Sequence, residues 1–187
     1  MILEIAQEEH PALRTRGRRI SKVDKQIRGL AADMIETMRA AEGIGLAAQQ
    51  VGLPVQLFVL DVPPMKDRPS RMRVAGKAVD FQEHMPLVLL NPEIQPFGKP
   101  HLESEGCLSF PGLRGEVLRP LSVRVKARAL DEIVVEFEAD GLLARAIQHE
   151  FDHLQGILFI DRLAPEDRDE LPKEVRRIIR PLPPAVS

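Results

Sequence analysis

The chain has 187 residues, 26 of them basic and 28 acidic, for a formal charge of −2. That length suits one domain with a real core, and the near-neutral balance excludes a protein built to hold nucleic acid or an anionic membrane by charge alone. Trp and Tyr are absent, which leaves few rings for single-stranded bases to stack on.

The amino-terminal "MILEIAQEEH" has three glutamates and no basic lead-in, so it does not read as a secretory signal. The first long periodic segment covers residues 21 to 41. Val23, Ile27, Leu30, Met34, Ile35 and Met38 recur at three- and four-residue steps, one stripe of an amphipathic helix. It gives way to "EGIGLAAQQVG", whose glycines break helix. "VQLFVLDV", residues 55 to 62, reads as a buried strand. Residues 63 to 86 contain four prolines, lack periodicity and carry a local charge of +2; they read as a long loop insertion that borders a groove or projects from the surface. "LVLLNPEI" returns to strand, "LSVRVKARAL" alternates as a half-exposed strand, and "EIVVEFEA" is its natural antiparallel partner. A helix is expected from about Leu142 to Gln155, stopped by Gly156. The runs "LVLL" and "GILFI" are far too short to span a bilayer.

The pattern predicts an α+β fold: small antiparallel or mixed sheets packed around a buried C-terminal helix, with an earlier amphipathic helix. Residues 1–164 are expected to form a single catalytic domain. Residues 165–187 are expected to be a tail, with a short helix and then a disordered end.

The late helix carries the chemistry. At about 100° per residue, Arg145, Gln148, Asp152 and Gln155 share one arc. Leu143, Ala144, Ile147, Phe151 and Leu154 cover the opposite side. His149 and His153 stand one above the other between them, with Leu142 and Ala146 on the same flank. So much apolar circumference implies burial, so the imidazoles point into the interior or a cleft. His-Glu-x-x-His on a helix brings two ring nitrogens onto one ion, and Glu150 can reach a water there without ligating. The same five residues also arise by chance, or as core histidines satisfied by backbone carbonyls. A catalytic site usually has three protein ligands. No His or Cys follows His153, whereas the sole thiol, Cys107, lies upstream in "ESEGCLSFPG" and is a stronger donor than a carboxylate for a borderline ion. A lone thiol also excludes an internal disulfide and suits a reducing cytoplasm.

Three segments stand in register: "GIGLAAQQVG" (43–52), "EGCLS" (105–109) and "QHEFDHLQG" (148–156). With the opening "HPALR", they resemble the peptide deformylases, metal-dependent enzymes that remove the formyl group from formylmethionine at the start of new polypeptides. The resemblance implies that Cys107, His149 and His153 are the metal ligands, with water as the fourth, and that Glu150 is the general base. It implies that the Gln50 amide and the Leu108 backbone N–H donate to the formyl oxygen. Arg114 and Arg119 match arginines associated with the substrate's peptide chain and with bracing the site, and Glu105 shares their motif region. Ile44 and Gly45 fall in the first motif. Gly43 and Gly45 would let backbone approach an extended substrate. Leu142 and Ala146 are candidates for the wall that receives methionine's side chain. The family's usual ion is Fe2+, with Zn2+, Ni2+ or Co2+ able to replace it; Cys/His/His does not choose among them. The implied partners are N-formylmethionyl nascent peptides, handled by a monomer without membrane or sequence-specific nucleic acid contact.

Three departures stand out. Gln49 sits beside Gln50, and strand alternation would turn the two amides to opposite faces. Arg145 occupies a position where related sequences often carry an apolar residue; it is expected to rim the cleft and favour a substrate acid or, the preferred reading, to extend into solvent. "PKEVRRIIR" is a candidate basic helix for transient ribosome contact, or a solvated tail. Two other readings remain open: a zincin-like metallopeptidase, which needs a downstream ligand and no role for Cys107, and a non-catalytic binding protein, which has no need of Glu150.

Overall fold

The structure, a computed structural model, describes residues 1–183; the expectation of a loose end at 184–187 falls outside the described residues. Its strands are β1 (Gly45–Ala47), β2 (Leu57–Leu60), β3 (Ser70–Val74), β4 (Lys77–Val79), β5 (Leu87–Cys107), β6 (Phe110–Arg128) and β7 (Val134–Asp140). They join in one seven-stranded sheet in the order β1-β2-β5-β6-β7-β3-β4, and every pairing is antiparallel. The two main helices are α1 (Lys25–Ala40) and α2 (Gly141–Leu154), so the fold class is α+β, as expected from sequence. Two short helices follow, α3 (Pro165–Asp169) and α4 (Lys173–Arg176).

Strand β2 shows why its run is apolar on both sides. Successive side chains point to opposite faces of a sheet. Leu57 and Val59 pack with Ala31, Met34 and Met38 of α1, whereas Phe58 and Leu60 pack with Leu143, Ala144 and Ile147 of α2. The two helices therefore cover opposite faces of the same part of the sheet. Helix α1 starts where the Asp24 carboxylate accepts from the Ile27 N–H at 3.0 Å, a side-chain cap. Helix α2 ends at Gly156, which takes the left-handed conformation (φ 72°) where a Cβ would collide with the Arg14 carbonyl.

Residues 63–86 are not the long loop expected from their prolines. Strands β3 and β4 form a hairpin there, and β3 pairs with β7 on the sheet. The period-2 signal fails because five-residue β3 is half exposed on both faces and offers no clean alternation. The hairpin also serves α2. Asp140 makes no side-chain cap there, and the Ser70 hydroxyl instead accepts from the Leu143 N–H at 3.0 Å.

Strands β5 and β6 form one long hairpin, broken by register shifts at Leu90/Glu93, Phe97/Pro100 and Gly106/Cys107. Such bulges bend and twist a strand pair, and the last one sets Cys107 at the turn. Residues beyond 164 pack on the core: Leu171 and Val175 are buried beside Phe159 and Leu163, and Arg14 donates to both the Asp161 carboxylate and the Ile178 carbonyl. Among the described residues, no helix is long and apolar enough to cross a membrane.

Candidate metal-centred active site

Helix α2 and the end of β5 meet around three donor atoms. Ligand atoms of Cys107, His149 and His153 all lie within 4.8 Å of one another. The Cys107 Sγ is 3.3 Å from Nε2 of His153, and the two imidazole rings stand 5.1 Å apart, edge to face. One helical turn separates the histidines, so a single ion can reach both rings. No downstream acid joins this cluster among the described residues.

Electrostatics support a cation in this place. Burial would lower the His149 pKa, but the Cys107 and Glu105 groups facing it raise it well above the usual value. Burial, with the first ring beside it, pushes the His153 pKa well below the ordinary range. A soft thiolate with two imidazoles suits a first-row divalent ion. The residues present fit the group that the sequence motifs imply.

Behind the histidines lies a packed polar network. His149 Nδ1 lies 3.0 Å from Glu105 Oε2. The same carboxylate accepts two hydrogen bonds from Arg119, at 2.6 and 3.0 Å. Arg119 also donates to Asp152, which takes two more from Arg162. Burial opposes the ionised form of Glu105, yet His149 and Arg119 hold its pKa well below the carboxylate range. Arg119, expected to brace the site, sits behind Glu105 rather than lining the cleft.

In front of the histidines opens a cleft of about 470 Å³, lined by Ile44, Gly45, Leu142, Ala146 and Arg114 among others. Each of these is a candidate from sequence, and the structure gathers them with Cys107, Leu108, His149 and Glu150. Glu150 is only 4% exposed, and its Oε2 has no hydrogen-bond partner among the described residues. Burial pushes its pKa up to about 7, against a partial offset from His149. Such a carboxyl can take and return a proton near neutrality.

The first motif forms β1 and then a tight 3-10 turn, Ala48–Val51, so the expected strand alternation does not separate the glutamines. The turn does so instead. Gln50 Oε1 accepts from the Ala47 N–H at 2.9 Å, which fixes its NH2 towards Cys107 Sγ (3.4 Å) and Ser109 Oγ (3.3 Å). Gln49 is buried elsewhere, with no partner among the described residues. The glycines also serve a purpose that their sequence does not announce. A Cβ on Gly43 would strike the Leu108 side chain, and one on Gly45 would overlap the Glu150 carboxylate. They make room for the protein's own site residues.

Arg145 contradicts the preferred of its two expectations, although it does border the cleft. It does not extend into solvent: it is 6% exposed, donates to Glu105 at 2.8 Å and also bonds the carbonyls of Val117 and His101. The polar arc of α2 faces the β5–β6 hairpin, so its charges are buried with partners. Sequence reading also misses Arg68, which lines the cleft from the 63–86 segment and pairs with Glu103 at 2.6 Å, and the half-buried Asp152–Arg162 pair. The unexplained +2 charge of that segment is the available signal for Arg68.

A paired-histidine helix, a thiol and a bare carboxylate beside an open cleft are the parts of a metal-dependent hydrolase. The profile of the family described as polypeptide deformylase matches residues 2–169. A peptide deformylase of Methylacidiphilum infernorum is 46% identical over 180 residues, covering 96% of this chain and 94% of the relative. One from Opitutus terrae is 41% identical, with coverages of 96% and 94%. Among solved structures, the Synechococcus elongatus peptide deformylase in complex with actinonin superposes with a TM-score of 0.80 at 37% identity, covering 96% of this chain and 91% of that one. The Thermotoga maritima enzyme gives 0.75 at 36% identity, with 88% and 99% covered. The chain belongs to the polypeptide deformylase family, hydrolases that remove the N-terminal formyl group from nascent polypeptides.

Proposed function

We propose that Cys107, His149 and His153 hold one divalent ion, Fe2+ in the cell, and that Glu150 is the general base that releases formate from formylmethionyl N-termini. When bound, such an ion supplies Lewis-acid polarisation and lowers the pKa of water from about 15.7 towards about 7. The remaining work falls to the chain's own groups. Glu150, which lines the cleft with Cys107 and His149 and keeps its Oε2 unpartnered among the described residues, accepts a proton from the attacking water. The oxygen adds to the formyl carbon as charge builds on the carbonyl oxygen. The Gln50 NH2, held by the Ala47 N–H, and the Leu108 backbone N–H stabilise that charge; one such donor typically contributes about 3 kcal/mol. Glu150 then returns its proton to the amine as the carbon–nitrogen bond breaks. Formate and a free methionyl N-terminus leave.

Substrate binding follows from the cleft. Leu142, Ala146 and Ile44 offer apolar surface for methionine. Strand β1 ends the sheet order, so an extended peptide can lie along its free edge. Arg114, bonded only to Ser104 among the described residues, is placed to meet the peptide further along. A relative from Acinetobacter baumannii has been solved with Met-Ala-Ser bound, the kind of product this reading requires. The substrate's origin on the ribosome supports a cytoplasmic enzyme, which we read as a monomer. Exposed Lys173, Arg176, Arg177 and Arg180, carried by a segment anchored through Val175, are the candidate for transient ribosome contact. Charge reversal at Arg176 and Arg177 is expected to weaken ribosome co-sedimentation, and unchanged co-sedimentation would remove that element.

The observation that carries the proposal is the convergence of three donor atoms on the helix that also holds the unpartnered Glu150 carboxylate. It is tested by incubating anaerobically purified protein with formyl-Met-Ala-Ser and measuring formate. One formate per peptide is expected, with Met-Ala-Ser intact. Cleavage inside the peptide without formate would point to the metallopeptidase reading and overturn this one.

A further inference from the structure

Glu105 is held from two directions, and the sequence motifs account for one of them. Its Oε1 accepts from Arg119 Nε at 2.6 Å and from Arg145 Nη1 at 2.8 Å; its Oε2 accepts from Arg119 Nη2 and faces His149 Nδ1, both at 3.0 Å. Arg119 belongs to β6 and approaches from behind. Arg145 belongs to α2, one turn before His149, and shares that histidine's helix. It thereby adds a direct guanidinium link from the Glu105 carboxylate to the helix carrying both imidazoles, beside the indirect one through Arg119 and Asp152. Its other bonds fix it in place: Nη1 to the Val117 carbonyl at 2.9 Å, Nη2 to the His101 carbonyl at 2.7 Å, and Nε near Glu103 at 3.3 Å. Those partners lie on β5 and β6, so one guanidinium locks both strands of the hairpin to α2. Its planar fork donates in several directions at once, which an ammonium cannot match.

We propose that Arg145 is a positioning residue for the metal centre: by clamping Glu105 it sets the ring orientation and donor strength of His149. The inference rests on the ligand assignment given under Proposed function. Carboxylates hydrogen-bonded to a ligating imidazole fix its tautomer and orientation, and loss of such support typically costs about 10- to 100-fold in metal affinity. Arg145 acts one step further out. Its guanidinium is buried and donates to Oε1, the oxygen turned away from His149, so it fixes the carboxylate plane together with Arg119. The chain continues outward, because Glu103 Oε2 is gripped by Arg68 at the cleft.

The test uses the whole chain loaded with one equivalent of Co2+, comparing wild type, Arg145→Met and Arg145→Lys. Methionine keeps an aliphatic stem and removes the charge, whereas lysine keeps the charge and loses the fork. Two quantities are read: the cobalt absorption spectrum, and the rate at which cobalt is lost to excess chelator. The melting temperature of the metal-free proteins is measured alongside. Arg145→Met is expected to shift the cobalt ligand-field bands and to release the ion at least about tenfold faster. Arg145→Lys is expected to fall between it and wild type. A purely structural role would lower the melting temperature of both variants without moving the spectrum of the loaded protein, and that result would overturn the proposal. Should Arg145→Met fail to fold, the lysine variant decides: an unshifted spectrum with wild-type release would equally overturn it. Failure of the ligand assignment itself looks different, because wild type would then show no thiolate-to-cobalt charge-transfer band.

Discussion

The two sides of the paired imidazoles differ in how completely their polar atoms are satisfied. Behind the rings, Glu105 is buried with every neighbour in place, and its contacts with His149 and Arg119 hold it ionised well below the usual range. In front, Glu150 is buried as deeply, but one oxygen is bare and burial raises its pKa to about 7. The two residues are chemically identical, and their surroundings make one a fixed anion and the other a proton carrier. A rigid, saturated back wall lets an unsatisfied front face persist, because the cost of the latter is offset by the packing around it.

Removing the front carboxylate tests this contrast most severely. Glu150→Gln is expected to keep the metal and to lower kcat by on the order of 10²- to 10⁴-fold in a formate-release assay; near-wild-type turnover would reject its role as base. Breaking the back wall should act on folding instead. Arg119→Met removes the guanidinium shared by Glu105 and Asp152 and leaves each with one cation, Arg145 and Arg162; the expected cost lies below the about 3–5 kcal/mol of a fully unpaired buried charge and is readable as a lower urea midpoint. An unchanged midpoint would mean the network is ornamental.

The contrast also has a pH signature in the metal-free protein, with opposite signs. Glu150 has a folded pKa near 7 against an ordinary 4.5. Between those values the unfolded chain releases this proton first, so the residue lowers stability as pH rises from about 4.5 to about 7. Glu150→Gln is therefore expected to gain melting temperature over wild type across that window and to hold the gain above it. Glu105 does the reverse: its contribution is present above the ordinary carboxylate pKa and is lost as pH falls through its depressed one. A Glu150→Gln variant whose advantage shrinks as pH rises would contradict the assignment. The smallest effect belongs to the exposed strand pairs. Lys126 faces Glu136 at 2.9 Å in full solvent, and Lys126→Ala is expected to leave the melting temperature unchanged within error.

Part of the site is legible in residue identity and spacing alone. His149, Glu150 and His153 at helical spacing on an apolar helix leave few alternatives, and β2 and α1 declare themselves by period. Pairings over long distances do not show. Arg145 looks like one more charge on a polar arc, and nothing local says that a hairpin with carbonyls and two glutamates covers that arc. Gln49 and Gln50 invite a strand's alternation because a 3-10 turn of four residues has no pattern of its own. The hairpin of β5 and β6 is hidden by prolines and bulges, so only its apolar ends stand out.

The central claim is that one thiol and two imidazoles share an ion. X-ray absorption at the zinc edge, on protein loaded with a single equivalent of Zn2+, measures this directly. One sulfur and two imidazole nitrogens per zinc is the expected result. A first coordination sphere of nitrogen and oxygen alone would leave Cys107 outside the centre and contradict the account.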